Sequence, residues 1–285
     1  MTDQIVKYVN NSGGQFVLQG DGKGFVDISQ LYGYEWQYET INSVSGYGGN
    51  VSAFRHDPRL LDLDIRLRGF SRVGFMAKMN ELHAISESDI IANSPGKLYV
   101  GNQYATCFLA TSGNVSSMAR SGRFCTETVG VLFTRPYWCT EKVYRYNVAE
   151  ILSDDTTGKK YNGRYAYRYG SGLAVSTIAN THYAECPAII TIYGPASNPL
   201  VQIAGETYNV DVVLLSTERL VIDQVKKEIY IVDLNGNRRN VFNARNKAYD
   251  IFKPIPAGEQ TLSYSGEFMM TVTLIEQRSQ LEWRD

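Results

Sequence analysis

Strict alternation of apolar and charged side chains constrains this chain more than any other feature of its sequence. Leu61, Leu63, Ile65 and Leu67 interleave with Asp62, Asp64, Arg66 and Arg68. Successive side chains of a strand point to opposite faces, so a period of two predicts a strand with one buried face and one wet face. The wet face carries two acids and then two bases, and opposite charges on a neighbouring strand would set its register. Tyr34, Trp36, Tyr38 and Thr40 interleave in the same way with Glu35, Gln37 and Glu39, which predicts a second half-buried strand.

Helical spacing is convincing in one place. Phe75, Met79 and Leu82 recur at i, i+4 and i+7, Met76 and Ile85 widen the stripe, and Ser71 is a suitable N-cap. The spacing predicts a helix over about residues 72–85. Pro95-Gly96 follows, and then Leu98-Tyr99-Val100, Gly101-Asn102 and Tyr104–Phe108 form the pattern of a tight hairpin. A strand through Val129, Val131 and Phe133 meets Pro136, which cannot donate to a central ladder, so the strand is expected to end there. Ser153–Gly158 is a polar loop. Strands resume after Pro187, at Ala188–Ile192, Leu200–Ala204 and Val210–Leu215. Leu220–Asp223 and Glu228–Asp233 form a further hairpin, Asn235-Gly236-Asn237 turns into Arg238–Phe242, and a last strand holds Phe268, Met270, Val272 and Leu274. Many short strands joined by turns, with one helix, predict a mainly β protein whose second half is a sandwich.

The chain has 285 residues, enough for two domains each with its own core. It holds 20 Tyr against 11 Phe and 3 Trp, and tyrosine suits half-buried strands and protein interfaces. With 28 basic and 29 acidic residues and no long basic run, it lacks the electrostatic footprint of a dedicated nucleic-acid binder. Cys107, Cys125, Cys139 and Cys186 form no C-x-x-C pair and are expected to be small buried apolar groups in a reducing compartment. The first residues, Met1-Thr2-Asp3-Gln4, carry no signal-peptide pattern, and no apolar run approaches the ~20 residues of a membrane span. A soluble protein made in the cytoplasm is expected.

Chemistry-bearing motifs are sparse. His56, His83 and His182 lie far apart without metal-binding spacing such as H-E-x-x-H, and structural or surface roles are expected for all three. No G-x-S-x-G elbow is present. Gly20-Asp21-Gly22-Lys23-Gly24 superficially suggests a phosphate loop, but Phe25–Ile28 then continues as a strand where a helix N-terminus is needed. Gly46-Tyr47-Gly48-Gly49 is likewise a loop. Asp62 and Asp64 share the wet strand face with two arginines, and Asp154 and Asp155 lack the glycine and terminal glutamate of a calcium loop. No catalytic, cofactor-binding or metal residue is assigned. Tyr165, Tyr167 and Tyr169, alternating with Arg164 and Arg168, are the candidate contact for carbohydrate or a partner, because aromatic faces stack on sugar rings and arginines bond hydroxyls. The plainer alternative is a strand with its tyrosines packed inward.

The order of these features is similar to that of the phage distal tail protein (Dit) family of siphophages. In the first half the charged strands, the helix, Pro95-Gly96, the hairpin, Ser121-Gly122-Arg123 and Pro136-Tyr137-Trp138 carry the resemblance. In the second half Ala188–Gly194, Asn198-Pro199, Leu220–Asp223, Asn235-Gly236, Ile255–Glu259 and Glu282-Trp283-Arg284 do so. The resemblance implies an N-terminal β-sandwich or barrel-like domain with one α-helix over 1–139, related to tail-tube proteins and ring-forming. It also implies a C-terminal galectin-like β-sandwich over 140–285. The implied function is structural and not enzymatic: a homo-hexameric ring at the virion tail tip, assembled in the host bacterial cytoplasm. Such a ring joins the tail tube protein to the tail-tip hub (tail-associated lysin) protein and can hold a receptor-binding protein. The alternative is a carbohydrate-binding module that recognises host polysaccharide, and a cell-wall hydrolase is a third, more distant reading. No cofactor, no membrane and no sequence-specific nucleic acid is implied.

Overall fold

A computed structural model describes residues 4–20, 24–42, 46, 48–113, 117, 118, 123–148 and 174–282. Two compact units emerge: unit 1 is Met1–Thr140 with Gln277–Asp285, and unit 2 is Glu141–Glu276. In chain order the first elements are β1 (Val6–Val9), β2 (Gln15–Gln19), β3 (Gly24–Val26), β4 (Gln37–Asn42), β5 (Gly49–Arg55) and β6 (Arg59–Arg68). Helix α1 (Arg72–Ile91) follows, then β7 (Gly96–Val100), β8 (Gln103–Ser112), β9 (Ser117–Met118) and β10 (Phe124–Tyr146). Next come β11 (Ala174–Asn180), β12 (Ala188–Tyr193), β13 (Ala196–Ser197), β14 (Leu200–Ile203), β15 (Glu206–Asn209) and β16 (Val213–Leu214). The last strands are β17 (Arg219–Asp223), β18 (Glu228–Val232), β19 (Arg238–Asn240), β20 (Gly258–Tyr264) and β21 (Met269–Arg278). The fold is mainly β, with one α-helix among the described residues.

In unit 1 an antiparallel sheet runs β2-β1-β7-β8-β10-β6-β3. Leu63, Ile65 and Leu67 of β6 are buried, while Asp62, Arg66 and Arg68 face outward. The outward neighbours of β6 on β10 are Gly130, Thr128 and Thr126, so no opposite charges set this register; Thr128 donates its hydroxyl to Asp64 at 2.7 Å instead. The β7–β8 hairpin forms across Gly101-Asn102, with Gly101 at φ +62, a value glycine adopts without a Cβ clash.

Helix α1 begins as expected, with the Ser71 hydroxyl accepting from Gly74 N at 3.0 Å, but runs to Ile91. Its buried stripe is Phe75, Leu82, Ser86 and Asp89. The last two positions are polar, which hides the final turns from a search for apolar spacing. Ser86 turns its hydroxyl back onto the Leu82 carbonyl at 2.7 Å. Asp89, wholly buried, accepts from the Tyr8 hydroxyl at 2.6 Å and from Asn11 N at 2.9 Å. A Cβ on Gly96 would stand 2.5 Å from the Tyr8 hydroxyl and 2.6 Å from the Asp89 carboxyl, so this pair is built against a glycine.

Pro136 does not end β10. Pairing with β6 stops at Phe133, and the β8 register passes from Arg135↔Thr106 to Cys139↔Tyr104. Pro136 therefore falls at a ladder irregularity, where its missing N–H costs nothing. The C-terminal residues of unit 1 return to its sheet. Leu281 is buried in its core, and Gln103 brackets Glu282 by accepting from its N at 3.0 Å and donating to its carbonyl at 3.3 Å.

Unit 2 contains the antiparallel strands β21-β12-β17-β18-β19 and a second sheet β11-β20-β14-β15. Ile190, Ile192, Leu220, Ile222 and Val272 of the first meet Ile178, Val201, Ile203 and Leu262 of the second in one buried cluster. That is a β-sandwich. The expected strand over Val210–Leu215 is reduced to β16, and Glu206–Asn209 takes the ladder position beside β14.

Burial pushes the hydroxyls of Tyr146 and Tyr208 in this core up to about 12 from 10.0. They donate to the carbonyls of Thr177 at 3.0 Å and Lys253 at 2.8 Å. Because the folded state holds these protons more tightly, their contribution is full below pH 10 and is lost as pH rises toward 12. The expected loss is about 2–3 kcal/mol per tyrosine, with each unit of pKa worth ~1.4 kcal/mol. Urea titrations followed by far-ultraviolet circular dichroism across this range should show the fall, and a Tyr146→Phe/Tyr208→Phe protein should reduce it, leaving the part carried by Cys186 and the other tyrosines that burial shifts upward.

Candidate assembly surface

Strands β4 and β5 form a two-stranded hairpin that projects from unit 1 with every β5 residue exposed. Tyr38 and Phe54 stand directly opposite each other on one face and are 65% and 62% exposed. Ile41, three residues from Tyr38, points to the other face and is 65% exposed. The alternation around Tyr34–Thr40 therefore builds no buried face. The strand starts only at Gln37, and Tyr34, Trp36 and Tyr38 are all exposed. A two-stranded ribbon has no second layer to bury its apolar side chains, and such ribbons are marginal alone in water.

The root of the hairpin is aromatic. Trp36 lies on His56 with ring centres 3.8 Å apart, Phe54 meets Trp36 edge-on at 6.4 Å, and Tyr137 meets His56 edge-on at 5.0 Å. Burial holds the His56 imidazole below the usual histidine range, which favours its neutral form among these rings. Beside it a cavity of about 250 Å³ is lined by Tyr34, His56, Pro58, Phe133 and Trp138, with Glu35, Asp57 and Arg59 among its polar groups. Arg55 pairs with Glu39 at 3.5 Å and Asp57 at 3.3 Å, exposed pairs that add little stability.

The other chemical groups have structural surroundings. All four cysteines are buried, and none of them forms a disulfide. In unit 2, Cys186 lies 3.3 Å from Asn180 Oδ1, and His182 follows Asn180 by two residues, a set of residue types also found in cysteine nucleophile sites. Burial, with the Glu276 carboxylate adding to it, pushes the Cys186 thiol up to about 11, whereas a nucleophilic thiol needs a depressed pKa. In unit 1, Glu127 is buried on β10, accepts from the Ser112 hydroxyl and lies 3.7 Å from His83 on α1. No group of three His, Cys, Asp or Glu suited to a metal ion occurs among the described residues. No helix of the described residues is long and apolar enough to cross a membrane. Arg164, Tyr165, Tyr167, Arg168 and Tyr169 lie outside the described residues, as do Asp154 and Asp155.

The sequence matches no family model and no curated protein. The fold does match solved structures of phage Dit hub and baseplate proteins. The Dit protein of phage SPP1, described as a paradigm of the hub adsorption apparatus in phages infecting Gram-positive bacteria, aligns over 96% of this chain and 99% of its own, with TM-score 0.57 and 12% identity. A chain of the phage P2 baseplate in its activated conformation with Ca aligns over 99% of this chain and 100% of its own, with TM-score 0.65 and 13% identity. The same baseplate with Sr gives TM-score 0.65 at 12% identity. At these identities the likeness is one of fold.

Proposed function

We propose that this chain is a ring-forming structural subunit of a phage tail tip, a homo-hexamer that joins the tail tube to the tail-tip hub protein. Residues 1–139 would form the ring, and residues 140–285, as a galectin-like sandwich, would carry receptor-binding components outside it. Assembly would take place in the host bacterial cytoplasm, and no catalytic step is assigned. The observation that carries this reading is the β4–β5 hairpin, which exposes Tyr38, Phe54 and Ile41 on two faces of an unsupported ribbon. Large apolar side chains placed this way need a partner surface. A cyclic oligomer supplies one to every copy by repeating a single heterologous contact. The whole-length likeness in fold to phage hub and baseplate proteins supports the same reading. Native mass spectrometry and negative-stain imaging of the full chain are expected to show six-fold rings with a central channel. A protein that stays monomeric at high concentration, alone and with its tail partners, would sink the proposal.

A further inference from the structure

The outward face of β3, β6 and β10 in unit 1 brings two arginines and two phenylalanines together. Phe25 stands opposite Arg66 and Arg66 opposite Thr126 across the three strands, while Arg68 stands opposite Phe124 on the same face. The four side chains line one open cavity of about 440 Å³. Phe25 is 52% and Phe124 48% exposed, and the Arg66 guanidinium lies 5.7 Å from the centre of the Phe25 ring. Arg123, whose carbonyl accepts from Gly69 N at 2.8 Å, adjoins this group, and Phe70 beside Gly69 is 83% exposed. Among the described residues no carboxylate lies within ion-pair distance of Arg66, Arg68 or Arg123. Asp27, held by the Ser29 hydroxyl and amide, lies close enough to Arg66 to interact with its charge but outside ion-pair distance.

Guanidinium groups without a carboxylate at ion-pair distance, beside exposed aromatic rings, have the composition of a protein interface core, where arginine and aromatic residues are enriched. We propose that this face docks an acidic segment of a partner protein, with carboxylates on Arg66 and Arg68 and apolar side chains against Phe25 and Phe124. Arginine accepts carboxylates in a planar, two-pronged geometry, and the neighbouring phenyl rings lose water when an aliphatic side chain covers them. Duplex nucleic acid offers anions but nothing to cover two phenyl rings. The balance of 28 basic and 29 acidic residues also leaves no broad positive field for a polyphosphate.

The test uses the full-length protein and a fluorescent acidic peptide with leucines spaced among glutamates. The controls are the same peptide with serine in place of leucine and a dT oligonucleotide. Anisotropy titrations are expected to show saturable binding of the leucine peptide, tighter than either control and weakened by added salt. Arg66→Ala/Arg68→Ala should weaken it by about tenfold or more. Phe25→Ala/Phe124→Ala should reduce it to the affinity of the serine peptide. All four side chains are outward-facing, so both variants should keep the wild-type circular dichroism spectrum. Absence of saturable peptide binding, indifference to the double arginine change, or tighter binding of the oligonucleotide overturns the proposal.

Discussion

In the proposed ring, replacing Tyr38 and Phe54 together by serine is expected to leave a folded monomer that no longer assembles. Both residues are more than 60% exposed and stand opposite each other across β4 and β5, outside either core. Surface changes of this kind alter the stability of the isolated chain by about 0.5 kcal/mol or less. Aromatic anchors at the centre of an interface, by contrast, commonly cost about 2 kcal/mol or more each when truncated. Two such losses per contact, about 4 kcal/mol, lower each association constant by roughly a thousandfold, and a closed ring repeats that loss at every contact. Size-exclusion chromatography with light scattering would show the shift to monomer, and an unchanged thermal midpoint would show that the fold is intact. Rings that persist in the double variant would place the interface elsewhere.

Asp89→Ala is expected to destabilise unit 1 by about 2–4 kcal/mol, because it removes the acceptor of the Asn11 amide, leaves the buried Tyr8 hydroxyl only its longer 3.3 Å bond to the Cys107 carbonyl, and opens a cavity beside them. The hydroxyl sits 2.6 Å and the amide 2.9 Å from the two carboxyl oxygens, in a position with no exposed surface. Gly96→Ala should act on the same pair from the other side, since its methyl group would stand 2.5 Å from the Tyr8 hydroxyl. Denaturant midpoints followed by tryptophan fluorescence, which reports Trp36, Trp138 and Trp283, all in unit 1, measure both effects. A loss of under about 1 kcal/mol for Asp89→Ala would mean that the site relaxes around the missing carboxyl.

These two sites also mark what the sequence could and could not disclose. Leu61 to Arg68 was legible because its apolar and charged residues divide between a true core and true solvent. The segment Tyr34–Thr40 has the same period, but its apolar face belongs to no core of this chain. A side chain awaiting a partner and one packed inside look identical in one dimension. The end of α1 was hidden for the opposite reason, since its buried stripe closes with Ser86 and Asp89, polar residues whose partners are Leu82 and the distant Tyr8. Pro136 misled because a ladder irregularity, invisible to local rules, removes the need for its N–H. The arginines of β6 were visible, but Phe25 and Phe124 reach them only through strand pairing with β3 and β10. The Tyr165–Tyr169 ladder lies outside the described residues.

The return of Gln277–Asp285 to unit 1 has a bearing on biosynthesis. The ribosome makes the first part of unit 1, then all of unit 2, and only afterwards Leu281 and the backbone of Glu282 that Gln103 brackets. While unit 2 emerges, unit 1 is missing a piece of its own interior. A nonsense codon anywhere in unit 2 therefore removes part of the core of unit 1 as well, although unit 1 is encoded upstream of it save for that short return. Truncated chains carry an incomplete unit 1.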